Sequence, residues 1–467
     1  MSGLGRAWVI VIVAIVLCMP APAVAQARNP FLGSVPSGQP TATVLDLSLP
    51  DAFDRALRYN LGAIEARERT RAAHAARLRS LNALLTNVSG RVSAAVNQIN
   101  LRAVGVSLSI PGVTVPEVAG PFTVTDARVS VSQEVFNWSD IQNLKSSSEL
   151  ERAAEYSYRS DRDLVVYTAG SAYLLVISDA ATVESIRAQV RTAQTLYDQD
   201  VDKNTQGVIA RIDVLRARVE LQTQQQRLIA AENQLNIDKL LLARAVGLPN
   251  GQEFRLTDTV PYRALEDRTF EQALAEAYAT RPDYLGAERQ VSAAELALRA
   301  AGAELYPSGS IAADYGAIGN PNFSAAQRTY SASVAVSVPI FPGSRVRADK
   351  LQAQSTLEQR KAELADLRSQ IDDQVRTALY NLRSSSELVA VAKSSIDLAD
   401  ETVRQAQDRL SAGVANTLEV VQAQESVAAA NQSYIASLYA FNVAKMSLAQ
   451  TLGVAERAAA TYLLGRQ

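Results

Sequence analysis

Two long stretches almost empty of helix breakers constrain this chain more than anything else in it. Residues 139–248 contain no proline and only Gly170, Gly207 and Gly247; residues 344–452 contain no proline and only Gly413. Proline costs about 3 kcal/mol and glycine about 1 kcal/mol inside a helix, so runs this clean predict helices far longer than the ~11–12 residues of an average one. Each run follows a segment of strand-like alternation, and Gly207 and Gly413 stand 206 residues apart. The chain therefore reads as a duplication of one strand-plus-long-helix plan.

Each run carries the same internal landmark. Thr205–Leu215 and Ser411–Val421 superpose without a gap, aligning Gly207 with Gly413 and Asp213 with Glu419. Glycine after a long helix is the usual C-terminal stop, and a carboxylate a few residues later is favoured in the first turn of a returning helix. Each run is thus a helical hairpin, with spans of about 139–246 and 344–452. At 1.5 Å per residue its turn lies roughly 100 Å from the strand end.

The strands show period 2. Val129, Val131 and Val135 alternate with Ser130, Ser132 and Glu134, and Ala332, Val334, Val336, Val338 and Ile340 alternate with Ser331, Ser333, Ala335, Ser337 and Pro339. Such alternation predicts strands with one apolar and one wet face, at about 88–102 and 122–136 in the first repeat and 309–318 and 329–341 in the second. Turn-rich segments at 103–121 and 317–328 join them. Four strands cannot close a barrel, and an open edge is forbidden in hydrocarbon. Either the strands form a soluble sheet or several chains pool them; small or apolar residues alternating with serine suit a barrel wall.

Around these runs, Arg6 followed by apolar Ala7–Met19 and Ala23-Val24-Ala25 reads as an export signal over 1–25, too short to span a bilayer. Cys18 falls inside it, and the bulky Ile15-Val16-Leu17 before it argue against lipidation. The mature chain then has no disulfide. Residues 26–48 read as an extended tail, 49–248 as the first repeat, 249–268 as a linker, 269–454 as the second repeat and 455–467 as a tail. Single helices are expected over 51–85 and 269–303, and the first is short enough to dock on a belt around the middle of the molecule.

Composition excludes several functions. The 46 Lys plus Arg against 48 Asp plus Glu offer no electrostatic footprint for nucleic acid. His74 is the sole histidine, a surface or packing residue without ligand companions. With no cysteine left after export, no glycine-rich phosphate cradle and no convergent acid–base group, the chain offers no catalytic residue, metal site or cofactor site. Between Asp213 and Leu242 a stripe of apolar residues alternates with Gln222, Gln224, Gln225, Gln226, Asn233, Gln234 and Asn236. Those amides suit the lining of an aqueous lumen, and a solvated outer face explains them nearly as well.

These features in this order resemble the TolC-type outer-membrane factor family, over about Leu49 to Gly453. The most specific marks are Val336-Ser337-Val338-Pro339-Ile340-Phe341-Pro342-Gly343, matched more loosely by Val131–Trp138, and the segment Ala412–Ala423. Ala245-Val246-Gly247-Leu248-Pro249 and Thr451-Leu452-Gly453-Val454 look like the family's repeat boundaries. The resemblance implies a mixed, mainly α fold in a homotrimer: four strands per chain, 12 in total, forming a transmembrane β-barrel in the bacterial outer membrane, continued by a long periplasmic α-helical barrel. It implies a passive duct of a tripartite efflux or type I secretion system, partnered by a periplasmic adaptor, an inner-membrane RND or ABC-type transporter and outer-membrane lipid.

By the same resemblance Asp213 and Glu419 look like tip carboxylates that ring a periplasmic aperture, with Arg211 and Arg216 as candidate partners and Gly207 and Gly413 as the turns. Ordinary stabilisation of a helix N-terminus is the other reading of both acids. Ala415, Asn416 and Gln422 depart from the family pattern, so an ion-pair latch is expected mainly in the first repeat. Thr205, Val208, Val414 and Thr417 are candidate adaptor contacts, with burial inside the hairpin as the alternative for the valines. Phe136, Trp138, Pro339, Phe341, Pro342 and Gly343 mark the junction of barrel and helix. A non-channel structural or adhesive periplasmic coiled coil is the main rival, and it would not need lipid-compatible strands at matching repeat positions.

Overall fold

A computed structural model describes residues 29–465 except 104, 106–115, 267, 321–325 and 416. The export segment with Cys18, much of the 103–121 loop, part of the 317–328 loop and Asn416 lie outside the described residues.

In chain order the elements are β1 (Leu45–Leu47), α1 (Leu49–Tyr59), α2 (Leu61–Asn82), β2 (Asn87–Asn100), β3 (Val118–Phe136), α3 (Trp138–Thr205), α4 (Arg211–Ala245), β4 (Phe254–Leu256), α5 (Phe270–Thr280), α6 (Pro282–Ala303), β5 (Ser308–Gly319), β6 (Gln327–Ser337), α7 (Arg345–Ser411), α8 (Thr417–Thr451) and α9 (Ala455–Leu464). The two long helices have 68 and 67 residues, hence about 100 Å each. Asn137 starts α3 by accepting from the backbone N–H of Ser139 and Asp140, satisfying donors that a helix start leaves orphaned.

The layers are continuous from end to end. The four-stranded antiparallel sheet runs β2-β3-β5-β6, and the helices below it pack in the matching order α2-α3-α6-α7. Further down, the returning helices replace the short ones, and the order becomes α4-α3-α8-α7. One lateral edge is therefore β2, α2 and α4, and the other is β6 and α7.

Both short helical stretches are broken where one helix was expected. Asn60 sits at ψ 136, outside helical space, between α1 and α2; its amide donates to Phe31 O and Ala245 O while its carbonyl oxygen caps Gly62. Arg281, at ψ 116, separates α5 from α6, because a residue before proline is pushed out of the α region. β6 ends at Ser337, short of the expected Phe341: its last partner is Ser308, and Pro339 has no N–H to continue a ladder. The expected tails are also structured. β1 pairs in parallel with β4, and 455–467 contains α9, which buries Ala455, Ala459 and Leu463 at i, i+4, i+8.

The core lies at the middle of the molecule, where α1, α3, α7, α8 and α9 bury Leu49, Phe53, Val165, Tyr173, Ile371, Met446 and Leu463, with Leu452 from the turn between α8 and α9. Gly170 fits closely there: a Cβ would stand 2.5 Å from Met446 Cε and 3.1 Å from Phe53 Cε1, so the buried Met446 side chain would have to move. Among the described residues only α3 has an 18-residue window apolar enough to cross a membrane, at mean hydropathy 1.5. Its Val165, Val166, Ala169 and Tyr173 are spent on this core instead.

Candidate functional site

Two regions at opposite ends of the long helices gather the candidate residues. At the helical end both turns are Schellman stops. Gly207 at φ +74 and Gly413 at φ +72 adopt the left-handed conformation; Val208 N donates to Lys203 O and Gly207 N to Asn204 O, and Val414 N donates to Arg409 O and Gly413 N to Leu410 O. The repetition of the same bonds explains why the two sequences align without a gap.

The tip acids are each paired within their own hairpin. Asp213, in the first turn of α4, accepts from Arg216 Nη1 at 3.2 Å, and no ion pair involves Arg211 among the described residues. Glu419 in α8 accepts from Arg409 Nε at 2.9 Å. The second tip therefore has a base, supplied by the last turn of α7, where a cation also favours the helix terminus. Arg409 was missed in the sequence because its partner lies across the turn, ten residues on.

Of the four contact candidates, Thr205, Val208 and Val414 are exposed, both valines at 68 %. Thr417 is not available to a partner: it is 2 % exposed, at the start of α8 beside Asp200 of α3. Asp200 is itself buried, with both carboxylate oxygens lacking a hydrogen-bond partner. Burial pushes its carboxyl up, opposed by the Thr417 hydroxyl and Lys203. Leu196, Ala217, Ala406, Val420 and Ala423 close a small apolar core beneath, drawn from α3, α4, α7 and α8. Higher up, the two hairpins leave a groove of about 690 Å³ lined by Gln189, Glu220, Gln224, Asp400, Arg404 and Gln424.

At the other end the sheet has two chemically distinct faces. Register places Val92, Ala127, Val129, Val131, Ile311, Ala313, Tyr315, Tyr330, Val334 and Val336 on one face, and many are strongly exposed, Tyr330 at 81 % and Val334 at 77 %. The opposite face carries Ser89, Arg91, Ser93, Asp126, Arg128, Ser130, Asp314 and Ser331. There Arg128 donates through Nε and Nη2 to Asp126 at 3.0 and 2.6 Å and through Nη1 to Asp314 at 3.0 Å, and Ser331 donates to Asp314. Sequence reasoning missed this network: Asp126 and Arg128 stand at i, i+2 on one face of β3, a signal the alternation already offered, whereas Asp314 comes from a strand of the other repeat. At the base of the sheet the Phe136 and Trp138 rings stand 6.4 Å apart with Lys145 Nζ over Trp138. Phe341 is 88 % exposed, flanked by Pro339, Pro342 and Gly343 at φ +68. His74 pairs with Glu151 at 2.6 Å on the surface.

One sheet thus carries a largely apolar face beside a wet face, and helices about 100 Å long continue it. The model of the family described as Outer membrane efflux protein matches residues 118–248 and 273–454. The chain belongs to that family. Outer membrane protein TolC of Escherichia coli strain K12 is 20 % identical over 341 residues, covering 70 % of this chain and 69 % of that one. Outer membrane efflux protein BepC of Brucella suis biovar 1 is 23 % identical over 368 residues, covering 72 % and 77 %. The crystal structure of the outer membrane protein VceC from Vibrio cholerae shares the fold, with a TM-score of 0.71 at 17 % identity over 87 % of this chain and 96 % of that one. Membership makes this an outer-membrane efflux protein with its helices extending into the periplasm, of a family of channels.

Proposed function

We propose that three copies of this outer-membrane efflux protein close edge to edge into one passive channel, which carries solutes from an inner-membrane transporter of RND or ABC type, through a periplasmic adaptor, to the cell exterior. The observation that carries this reading is the matched pair of free edges. β2 and β6 present unpaired ladders, which hydrocarbon does not tolerate, and three such sheets pool them into a 12-stranded wall. Below, α4 exposes Ile212, Val219, Ile229 and Leu240, and α7 exposes Tyr380, Leu388, Val391 and Leu398, apolar stripes that a neighbouring edge would cover. The apolar sheet face meets lipid and the polar face meets water. Residues 1–25 direct export in this reading, and the adaptor seats at the hairpin tips, where Thr205, Val208 and Val414 are exposed, and in the groove higher up between the hairpins.

In the closed trimer Asp213 and Glu419 ring the aperture, where like charges repel and hold cations. Arg216 and Arg409 moderate that repulsion within each chain. The test is conductance of the detergent-purified protein in planar bilayers, with Asp213→Asn combined with Glu419→Gln. Raised resting conductance and weakened block by divalent cations are expected; unchanged values for both would sink the tip ring. A particle of one-chain mass that forms no pores would overturn the channel itself.

A further inference from the structure

We propose that Arg91, on the lumen-facing side of β2, is an anion-recognising station inside the barrel that holds carboxylate or phosphate groups of passing solutes, separate from the acidic tip. The proposal rests on the trimeric channel reading, because only closure turns the polar face into a lumen.

The charges of this face, Glu134 at its base aside, are gathered into three successive rows of the sheet. One row is Arg91, Arg128, Gly316 and Thr329; Ser93 and Asp126 lie on one side of it, and Ser130, Asp314 and Ser331 on the other. Formal charge cancels, but the two signs are held differently. Both oxygens of Asp126 are taken by the guanidinium of Arg128. Asp314 is fixed between Arg128 and the Ser331 hydroxyl. Arg128 thereby spends Nε, Nη1 and Nη2 on the wall, and Gly316 opposite is what leaves room for it: a Cβ there would lie 2.5 Å from Arg128 Cβ.

Arg91 is left over. It is exposed, and no hydrogen bond or ion pair involves it among the described residues. Its direct neighbour across the strand pair is Arg128, a like charge that disfavours folding back onto the wall, and the nearest carboxylate, Asp126, is already satisfied bidentately. The group free to reach into the lumen is therefore a guanidinium, whose fork of donors matches carboxylate and phosphate oxygens and is weakly hydrated. Three-fold closure places three of them at one level, above walls lined mainly by serine. A solute is thus met by cation-attracting carboxylates at the tip and by an anion-attracting ring within the barrel.

The experiment uses the full-length trimer in planar bilayers, in the Asp213→Asn/Glu419→Gln background so that tip charge does not set the ion preference. Reversal potential in a potassium chloride gradient and block by inorganic tripolyphosphate added on the extracellular side are read for Arg91→Ser, Arg91→Lys and Arg91→Gln. Arg91→Ser should move the reversal potential towards potassium and weaken the block by about tenfold. Arg91→Lys should keep most of the reversal potential while losing part of the block, because an ammonium lacks the fork. Assembly is checked by particle mass, and Arg91→Gln, which preserves length and polarity, should behave as Arg91→Ser. If both neutral variants conduct with unchanged reversal potential and unchanged block, the station does not exist. If the parent background itself forms no pores, the channel reading fails and takes the station with it.

Discussion

Replacing Asp179 by asparagine should remove a pH dependence from the middle of the helical body. Asp179 on α3 lies against Asp238 on α4, whose Oδ2 accepts from Gln234 at 2.7 Å, while Asp179 Oδ2 is buried without a partner. Burial, and then the Asp238 carboxylate, push the Asp179 carboxyl up from 3.8 to about 7; a proton held between the two acids gives the orphaned oxygen its partner. The native state thus binds a proton that the unfolded chain has already released over that range. Stability is greatest below the unfolded value and falls as pH rises towards about 7, with the full cost present above it. At 1.36 kcal/mol per pH unit the displacement would represent about 4 kcal/mol in a dry site. Asp179 is only half-buried, so screening reduces this to about 1 to 2 kcal/mol.

The asparagine amide donates to Asp238 at every pH, so the variant should be more stable than the parent above pH 7 and similar to it in acid. Hydrogen exchange of the segments around residues 179 and 238, corrected for intrinsic rates, reads this locally. Between pH 4 and 8 the parent should lose protection by roughly 5- to 30-fold, and the variant should not. Equal loss of protection in both proteins would refute the shared-proton argument.

Three further outcomes follow from single residues. Gly413→Ala should cost about 1 to 2 kcal/mol from left-handed strain alone, since nothing lies within 4 Å of the added Cβ, whereas Gly316→Ala, with its Cβ 2.4 Å from Ala127 O, should abolish assembly; the yield of folded particle in outer-membrane fractions compares them. Lys445 is fully buried with Nζ unpaired, over the Phe441 ring at 4.6 Å, and burial followed by Arg263 pulls its amine down to about 8. Its charged form destabilises the fold below pH 8 and the penalty fades as pH rises towards 10.5, so Lys445→Met should raise the thermal midpoint at pH 7 and leave it little changed at pH 10, as followed by loss of helical circular dichroism.

The sequence by itself determined the long helices, the duplication, the turns at Gly207 and Gly413, and the two-faced strands. These are local: breaker content, φ-positive glycine and period 2 act within a few residues and leave a direct record in the chain. What only the tertiary structure decided is non-local. The break at Asn60 depends on carbonyls of Phe31 and Ala245, the burial of Thr417 on Asp200 in the other hairpin, and the Glu419 partner on a helix across a turn. The Asp126–Arg128 pair is local, two residues apart on one face of β3, but the bond from Arg128 to Asp314 joins β3 to β5, strands of different repeats, and no pattern in either repeat announces it. Strand alternation could say that one face is wet; only the register could place Arg128 between two carboxylates and leave Arg91 without one, because charge compensation depends on which rows meet across the sheet.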